Sequence, residues 1–237
     1  MPTRRISEKR KIEEGRGKGL GKDYKPWIRF AETSSLGTGA VIPDWKHGRG
    51  IQCLSQGEIY AYALLRWDDN VEDILEQYPL KLDLTNEIAF RLGYSPSDNG
   101  RSHMTTDFVV IYKDKSIIAY SIKAAKNALK ELPTDSSQEK ADKQRKRELQ
   151  EIEEVYWECQ SVPRIQWFTD EMDRIKAQNI LDVTAFICRR TKMDDIAIAK
   201  YLIANKVIEV DMSKKIDYQA LVKDLKEKGL WKALKAN

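Results

Sequence analysis

MTTDFVVIYKDKSIIAYSIKAAK, residues 104–126, holds two apolar runs around the polar turn Lys113-Asp114-Lys115, the pattern of a β-hairpin. Each run carries a formal charge where a buried strand resists one. Asp107 precedes Phe-Val-Val-Ile-Tyr, and Lys123 follows Ile-Ile-Ala-Tyr-Ser-Ile. Aspartate is depleted in strands and rarely buried without a partner. An ionised carboxylate left alone in apolar surroundings is strongly destabilising, so it calls for a cation, a metal or several N–H donors. The hairpin sets Asp107 and Lys123 on neighbouring strands, close to facing each other, in a register that the turn length leaves open. Ser121 and Lys123 share one strand face by the period-two rule. A salt bridge at the sheet edge explains the pair as well as a functional site does.

Upstream, SQGEIYAYALLRW starts a helix with Ser55 as N-cap and Glu58 at the third helical position, a capping-box spacing. That box competes with any other use of the Glu58 carboxylate. In VEDILEQYPLKLDLT the alternation Leu80-Leu82-Leu84 suggests a strand, and TNEIAFRLG reads as a short helix ended by Gly93. Residues 26–54 mix Pro, Gly and Trp, as loops with one or two short strands do. Downstream, AAKNALKEL is helical. SQEKADKQRKRELQEIEEVYWECQ is a long helix with a solvated charged face, and VPRIQWFTD is a short strand.

From about residue 170 three amphipathic helical segments follow with short connections, and VIEVDM is a candidate strand. Three parts result: a basic flexible arm (1–25), a catalytic-size portion (26–169) and a small helical, winged-helix-like module (170–237).

Charged residues make up 33% of the 237 and hydrophobic ones 41%, enough for an ordinary core. No apolar run reaches the length of a membrane span, and the N-terminus lacks the apolar segment of a secretory signal. Cys53, Cys159 and Cys188 show no CxxC spacing, which argues against a zinc site or disulfide framework and suits a reducing cytosol. The formal net charge of +4 is uneven: residues 1–25 hold nine Lys/Arg against four Asp/Glu. A basic arm on a near-neutral body fits phosphate contacts, and equally a solvated tail. Tyr24, Trp27, Phe30 and Trp45 lie among these basic residues. That is a pattern for holding DNA, although packing accounts better for Trp27 and Phe30. His47 and His103 lack metal-ligand spacing and read as surface residues. No phosphate-binding loop is present.

A helix Glu, a strand Asp and a Lys two residues past Ser121 on the next strand resemble the PD-(D/E)xK nuclease superfamily. The match is closer to its TnsA branch, the transposon-end endonucleases of Tn-seven-like elements. The words that carry the resemblance are SQGEIYAYALLRWDDNVEDILEQYPL, GYSP followed by HMTTDFVVIY, AYSIKAAK, and EIEEVYW followed by WFTDEM, in this order over about residues 27–170. The tail resembles the family's C-terminal helical domain in size and place.

The resemblance implies an α/β fold, a restriction-endonuclease-like mixed sheet flanked by helices. It implies a Mg²⁺-dependent endodeoxyribonuclease, with Mn²⁺ able to substitute and one or two ions bound. By carry-over, Glu58 and Asp107 would ligate the metal together with the backbone carbonyl of Ile122, and Lys123 would orient the attacking water. Hard oxygen ligands suit Mg²⁺, which keeps waters and binds substrate phosphate.

Ser121 departs from the pattern. An acid usually stands two residues before the lysine, so Ser121 would act only through a water. Gln77 in EQYPL and Glu153 in EIEEVYW match family words as supporting residues. Local packing for Gln77 and simple solvation for Glu153 compete with that reading. The implied reaction is cleavage of the 5′ strands at the ends of a cut-and-paste transposon. The implied partners are double-stranded DNA, a TnsB-type DDE transposase and a TnsC-type AAA+ regulator, in a bacterial cytoplasm at the nucleoid and away from membranes. Another PD-(D/E)xK nuclease, of restriction or repair type, and a non-catalytic DNA-binding scaffold on a nuclease fold are the alternatives.

Overall fold

The computed structural model describes residues 6–33, 38–123, 129–185, 187 and 194–231. In chain order it contains α1 (Glu8–Glu13), β1 (Ala40–Pro43), β2 (Gly50–Cys53), α2 (Gln56–Trp67), β3 (Val71–Pro79), α3 (Leu82–Leu92), β4 (Thr105–Tyr112) and β5 (Ile117–Lys123). Then follow α4 (Ser137–Cys159), β6 (Arg164–Phe168), α5 (Glu171–Thr184), α6 (Asp195–Ala204) and α7 (Tyr218–Glu227). The described residues group into two units. One draws on residues 1–41, 52–59 and 69–168, the other on 42–51, 60–68 and 169–237. The second unit thus takes in 42–51 and 60–68, segments that the sequence alone assigns to the catalytic-size portion.

The first unit is built on a four-stranded mixed sheet in the order β3-β4-β5-β6. β4 runs antiparallel to both β3 and β5, and β5 runs parallel to β6. The expected hairpin is β4–β5, with Phe108 opposite Tyr120 and Ile111 opposite Ile117. Lys115 takes a positive φ of 70° in its turn, and the Asp114 carboxylate accepts from the Ser116 N–H at 2.9 Å. Phe108, Val109 and Val110 are buried in succession, so both faces of β4 are covered. That accounts for an unbroken apolar run where a one-sided strand would alternate. Burying side chains of this size stabilises by about 1.5–3 kcal/mol each. One core layer joins Leu75, Val109 and Ala119 of the sheet to Ile88 and Ala89 of α3 and to Ile152, Tyr156 and Trp157 of α4. Helix α4 begins in a capping box between Ser136 and Glu139 and buries only residues near its C-terminal end, so its charged first half faces solvent.

Two expectations for this unit change, and a third falls largely outside the described residues. Leu80-Leu82-Leu84 is not a strand: the strand is the preceding VEDILEQYP, and Leu82 and Leu84 belong to α3. Three alternating residues cannot separate a strand from the entry to a helix, and Pro79 closes the ladder. Within the expected arm, the described residues 6–25 hold fixed structure. The Arg16 guanidinium is fully buried, pairs with Glu14 and Glu32, and donates to the Trp27 carbonyl at 3.1 Å. Tyr24 and Trp27 are buried. Lys9, Arg10, Lys11 and Arg16 of the expected basic tail are paired with acids. The helix expected at AAKNALKEL falls largely on 124–128, outside the described residues.

The second unit contains α5, α6 and α7, each opened by an aspartate N-cap: Asp170, Asp194 and Asp217. Ala63, Ala177, Ile180, Val183, Ile203 and Met212 form one core cluster, and Leu202, Val222, Leu225 and Trp231 lie in another. Asp44 and Arg66 form a fully buried ion pair at 2.5 Å, with His47 Nδ1 3.2 Å from the guanidinium. The described residues from 170 onward form no strand, so neither VIEVDM nor the wing of a winged helix appears as one among them. No helix among the described residues is long and apolar enough to cross a membrane.

Candidate active site

Glu58 stands in the first turn of α2, where Ser55 Oγ accepts from the Glu58 N–H at 3.2 Å and donates back to Oε1 at 2.8 Å. The Leu54 N–H and Gln77 Nε2 both donate to Oε2, at 2.8 and 3.1 Å. The Ser55 half of the foreseen capping box is present, while the Glu58 carboxylate returns to the Ser55 hydroxyl and the Leu54 N–H instead of the Ser55 N–H. This arrangement does not withdraw Glu58 from Asp107 and Lys123, because the cap and the strands meet: a Cβ on Gly57 would lie 3.3 Å from Ile122 Cγ2. Burial pushes the Glu58 carboxyl up, opposed by those three donors and by the positive charge of Lys123.

Asp107 lies on β4, one residue before the hydrogen-bonded run with β5. Its Oδ2 accepts from the Ile122 N–H at 2.6 Å. It keeps some solvent contact along its edge while protein packs densely around the carboxylate. Burial, then repulsion from Glu58, raise its pKa to about 7; Lys123 and the Ile122 N–H pull the other way. Cys53 gives a second reading of the same crowding. Its buried thiol is pushed well above the ordinary range by burial and by Glu58, Glu76 and Asp107. Lys123, at the end of β5, forms no ion pair within 4 Å among the described residues, and its charge acts on both carboxylates.

Ser121 does not face this pair with a free hydroxyl. It is buried and donates to Glu153 Oε2 at 3.2 Å. Glu153 is buried as well, not solvated. It also accepts from Thr106 Oγ1 at 2.8 Å and pairs with Arg164 of β6 at 2.9 Å, while Trp157 Nε1 donates to Thr106 Oγ1 at 2.7 Å. Gln77 is buried between Glu58 and Thr105, whose Oγ1 donates to Gln77 Oε1 at 3.3 Å. Arg164, Thr105 and Thr106 went unremarked in the sequence. The two threonines immediately precede Asp107, and Arg164 is the one cation within β6, which were the available signals. Among the described residues no group of three or more His, Cys, Asp and Glu side chains is arranged to hold a metal ion. The donor set is two carboxylates.

A cavity of about 580 Å³ opens beside these residues, lined by Lys123, Glu153, His103, Gln166 and, from α4, Lys146 and Arg147. His103 is held by Glu8, whose carboxylate lies 2.7 Å from Nδ1, and its ring centroid is 4.4 Å from that of Trp27.

Residues 68–167 match the family model described as TnsA-like endonuclease N terminal. Over 173 residues the chain is 34% identical to the transposon Tn7 transposition protein TnsA of Escherichia coli. Residues 68–167 are thus of the TnsA-like type. The alignment covers 72% of this chain and 59% of that relative, so the chain spans less than two thirds of the curated protein it matches. Asp107, Ser121, Lys123, Gln77 and Glu153 fall within this TnsA-like segment. Glu58 precedes it by ten residues and joins the site through the start of α2.

Proposed function

We propose that this chain is a metal-dependent DNA endonuclease that cuts the 5′ strands at transposon ends, working with a DDE transposase and an AAA+ regulator. The observation that carries the reading is the convergence of Glu58, Asp107 and Lys123 from a helix start and two adjacent strands, with Lys123 also lining the cavity. The TnsA-type sequence supports the substrate and the partners.

The donor set fits Mg²⁺, which commonly takes one or two carboxylates and completes its shell with water and substrate phosphate. Glu58 and Asp107 repel each other in a desolvated setting, so a divalent cation is favoured between them. The Ile122 carbonyl would join them, since a strand residue turns its N–H and C=O to the same neighbour and Asp107 already takes that N–H. A bound Mg²⁺ supplies Lewis-acid stabilisation of the phosphate and a more acidic water. Lys123 brings three donors and a positive charge that can orient a water and offset charge on a scissile phosphate. Lys123 and Lys146 make the same cavity attractive to a DNA backbone, while Arg147 is paired with Glu131 and Glu153, the acid lining the cavity, with Arg164. The helical second unit would serve as the docking part for protein partners.

The test uses the complete system of this chain, its transposase, its regulator and transposon-end DNA. Asp107→Ala or Lys123→Ala should abolish cleavage of the 5′ strands while DNA binding persists. An Asp107→Ala protein that still cuts those strands at the wild-type rate would end the assignment.

A further inference from the structure

Gln77 is the least ordinary residue of β3. Its φ is +48°, a left-handed conformation that glycine adopts freely and a glutamine adopts only where its surroundings compel it. It sits inside a strand, between Glu76 and Tyr78, which are paired with Phe108 and Thr106 of β4. That register sets Gln77 across from Asp107. The residue is buried, 2% exposed, and its side-chain amide is hydrogen-bonded at both ends. Oε1 accepts from Thr105 Oγ1, Nε2 donates to Glu58 Oε2, and the main-chain carbonyl accepts from the Trp27 N–H at 3.2 Å. An ionised carboxylate only accepts, so the NH₂ end of the amide faces Glu58 and Oε1 is left to the Thr105 hydroxyl.

The consequence for Glu58 follows from counting lone pairs. A carboxylate oxygen accepts about two hydrogen bonds. Oε2 receives Leu54 N–H and Gln77 Nε2, which fill it, while Oε1 receives Ser55 Oγ alone. One acceptor direction, on Oε1, is left open. Without Gln77 the carboxylate could turn about its last torsion and share its vacancies between the two oxygens.

We propose that Gln77 is a positioning residue of the nuclease site. Its amide, delivered by a left-handed backbone inside β3, locks the Glu58 carboxylate so that Oε1 is the oxygen presented to a divalent cation alongside Asp107. The inference rests on the nuclease reading above. A glutamate at 77 would bring a further carboxylate against Glu58. An asparagine is one methylene shorter and cannot span Thr105 and Glu58 from the same backbone. Outer partners that orient ligands typically govern metal affinity or activity by about 10–100-fold.

The test is Gln77→Met in the full chain, which keeps an unbranched side chain of similar shape and removes the amide. Mn²⁺ binding is measured directly by electron paramagnetic resonance of free Mn²⁺, next to melting temperature and cleavage in the complete system. The expected result is Mn²⁺ affinity and cleavage both lower by about 10–100-fold, with DNA binding unchanged. Wild-type Mn²⁺ affinity and cleavage in a folded Gln77→Met protein would overturn the proposal and leave Gln77 a packing residue. Should that variant not fold, Thr105→Val decides. It frees the amide without touching Gln77, and must weaken Mn²⁺ binding several-fold, or the proposal fails. Asp107→Ala separates the two readings. If it binds Mn²⁺ as the wild type does, the nuclease reading falls and this inference with it.

Discussion

Asp107→Asn in the metal-free protein tests the electrostatics of the site without any catalytic assay. The folded-state pKa of Asp107 is raised from an ordinary 3.8 to about 7. For an acid shifted upward, folding favours the protonated form. The stabilising contribution is therefore complete below the unfolded pKa and is lost as pH climbs through the folded one. The gap between the two values, at about 1.4 kcal/mol per pH unit, comes to on the order of 4 kcal/mol. Partial solvent contact at the edge of the residue reduces it, so about 2–3 kcal/mol is the working expectation. Denaturant unfolding with chelator present, at about pH 4.5 and about pH 8.5, measures it. The wild type should lose that much stability relative to Asp107→Asn between the two conditions. Asparagine also relieves the repulsion on Glu58, which acts in the same direction. Adding Mg²⁺ at the higher pH should restore the wild type and leave the variant unchanged. Parallel pH profiles for the two proteins would refute the claim that Asp107 is a desolvated acid held against Glu58.

Two other substitutions probe the frame of the site. Gly57→Ala adds a Cβ 3.3 Å from Ile122 Cγ2; the helix gains up to about 1 kcal/mol of propensity. Stability should change by less than about 1 kcal/mol while cleavage falls about tenfold, because α2 must shift against β5; an unchanged cleavage rate would show that the Glu58–Ile122 spacing is not critical. Ser121→Asp sets a carboxylate beside Glu153 and should cost on the order of 3 kcal/mol by denaturant unfolding at neutral pH, with most of it recovered by adding Glu153→Gln. Additive effects in that double mutant would deny the coupling.

Much of the site was legible because its charges break the rules of their elements. An aspartate and a lysine inside apolar strand runs are visible in a sequence, and so is a Glu three residues past a Ser. The structure alters how these parts combine. Capping and site membership were set against each other for Glu58, yet the bond with Ser55 leaves the carboxylate close enough to feel the charge of Lys123. Glu153 was legible in principle: with Tyr156 and Trp157 it makes an i, i+3, i+4 set, all buried. The surrounding run of Lys, Arg and Glu masked that face. The Arg16–Glu32 pair and the left-handed turn at Gln77 carry no local signal. The first depends on chain segments sixteen residues apart, and the second on contacts made by Thr105, Trp27 and Glu58.

The departure at Ser121 has a physical reason once Glu153 is placed. Three donors converge on that one carboxylate: Thr106 from β4, Ser121 from β5 and Arg164 from β6. Thr106 is the neighbour of Asp107, and Ser121 is the neighbour of Ile122. A single acid on α4 thus ties the three strands one residue away from Asp107 and from Ile122. An acid at 121 would put a second carboxylate within a few ångströms, a repulsion of about 4 kcal/mol at an effective dielectric near 20, with Arg164 the only cation hydrogen-bonded to Glu153 among the described residues. Serine instead supplies the donor that Glu153 needs. Glu153 binds a donor from each of these strands and its charge is balanced by Arg164, which makes it a clamp on the sheet. The two carboxylates left for a cation are then Glu58 and Asp107, and their spacing depends on how firmly that clamp and Gln77 hold them.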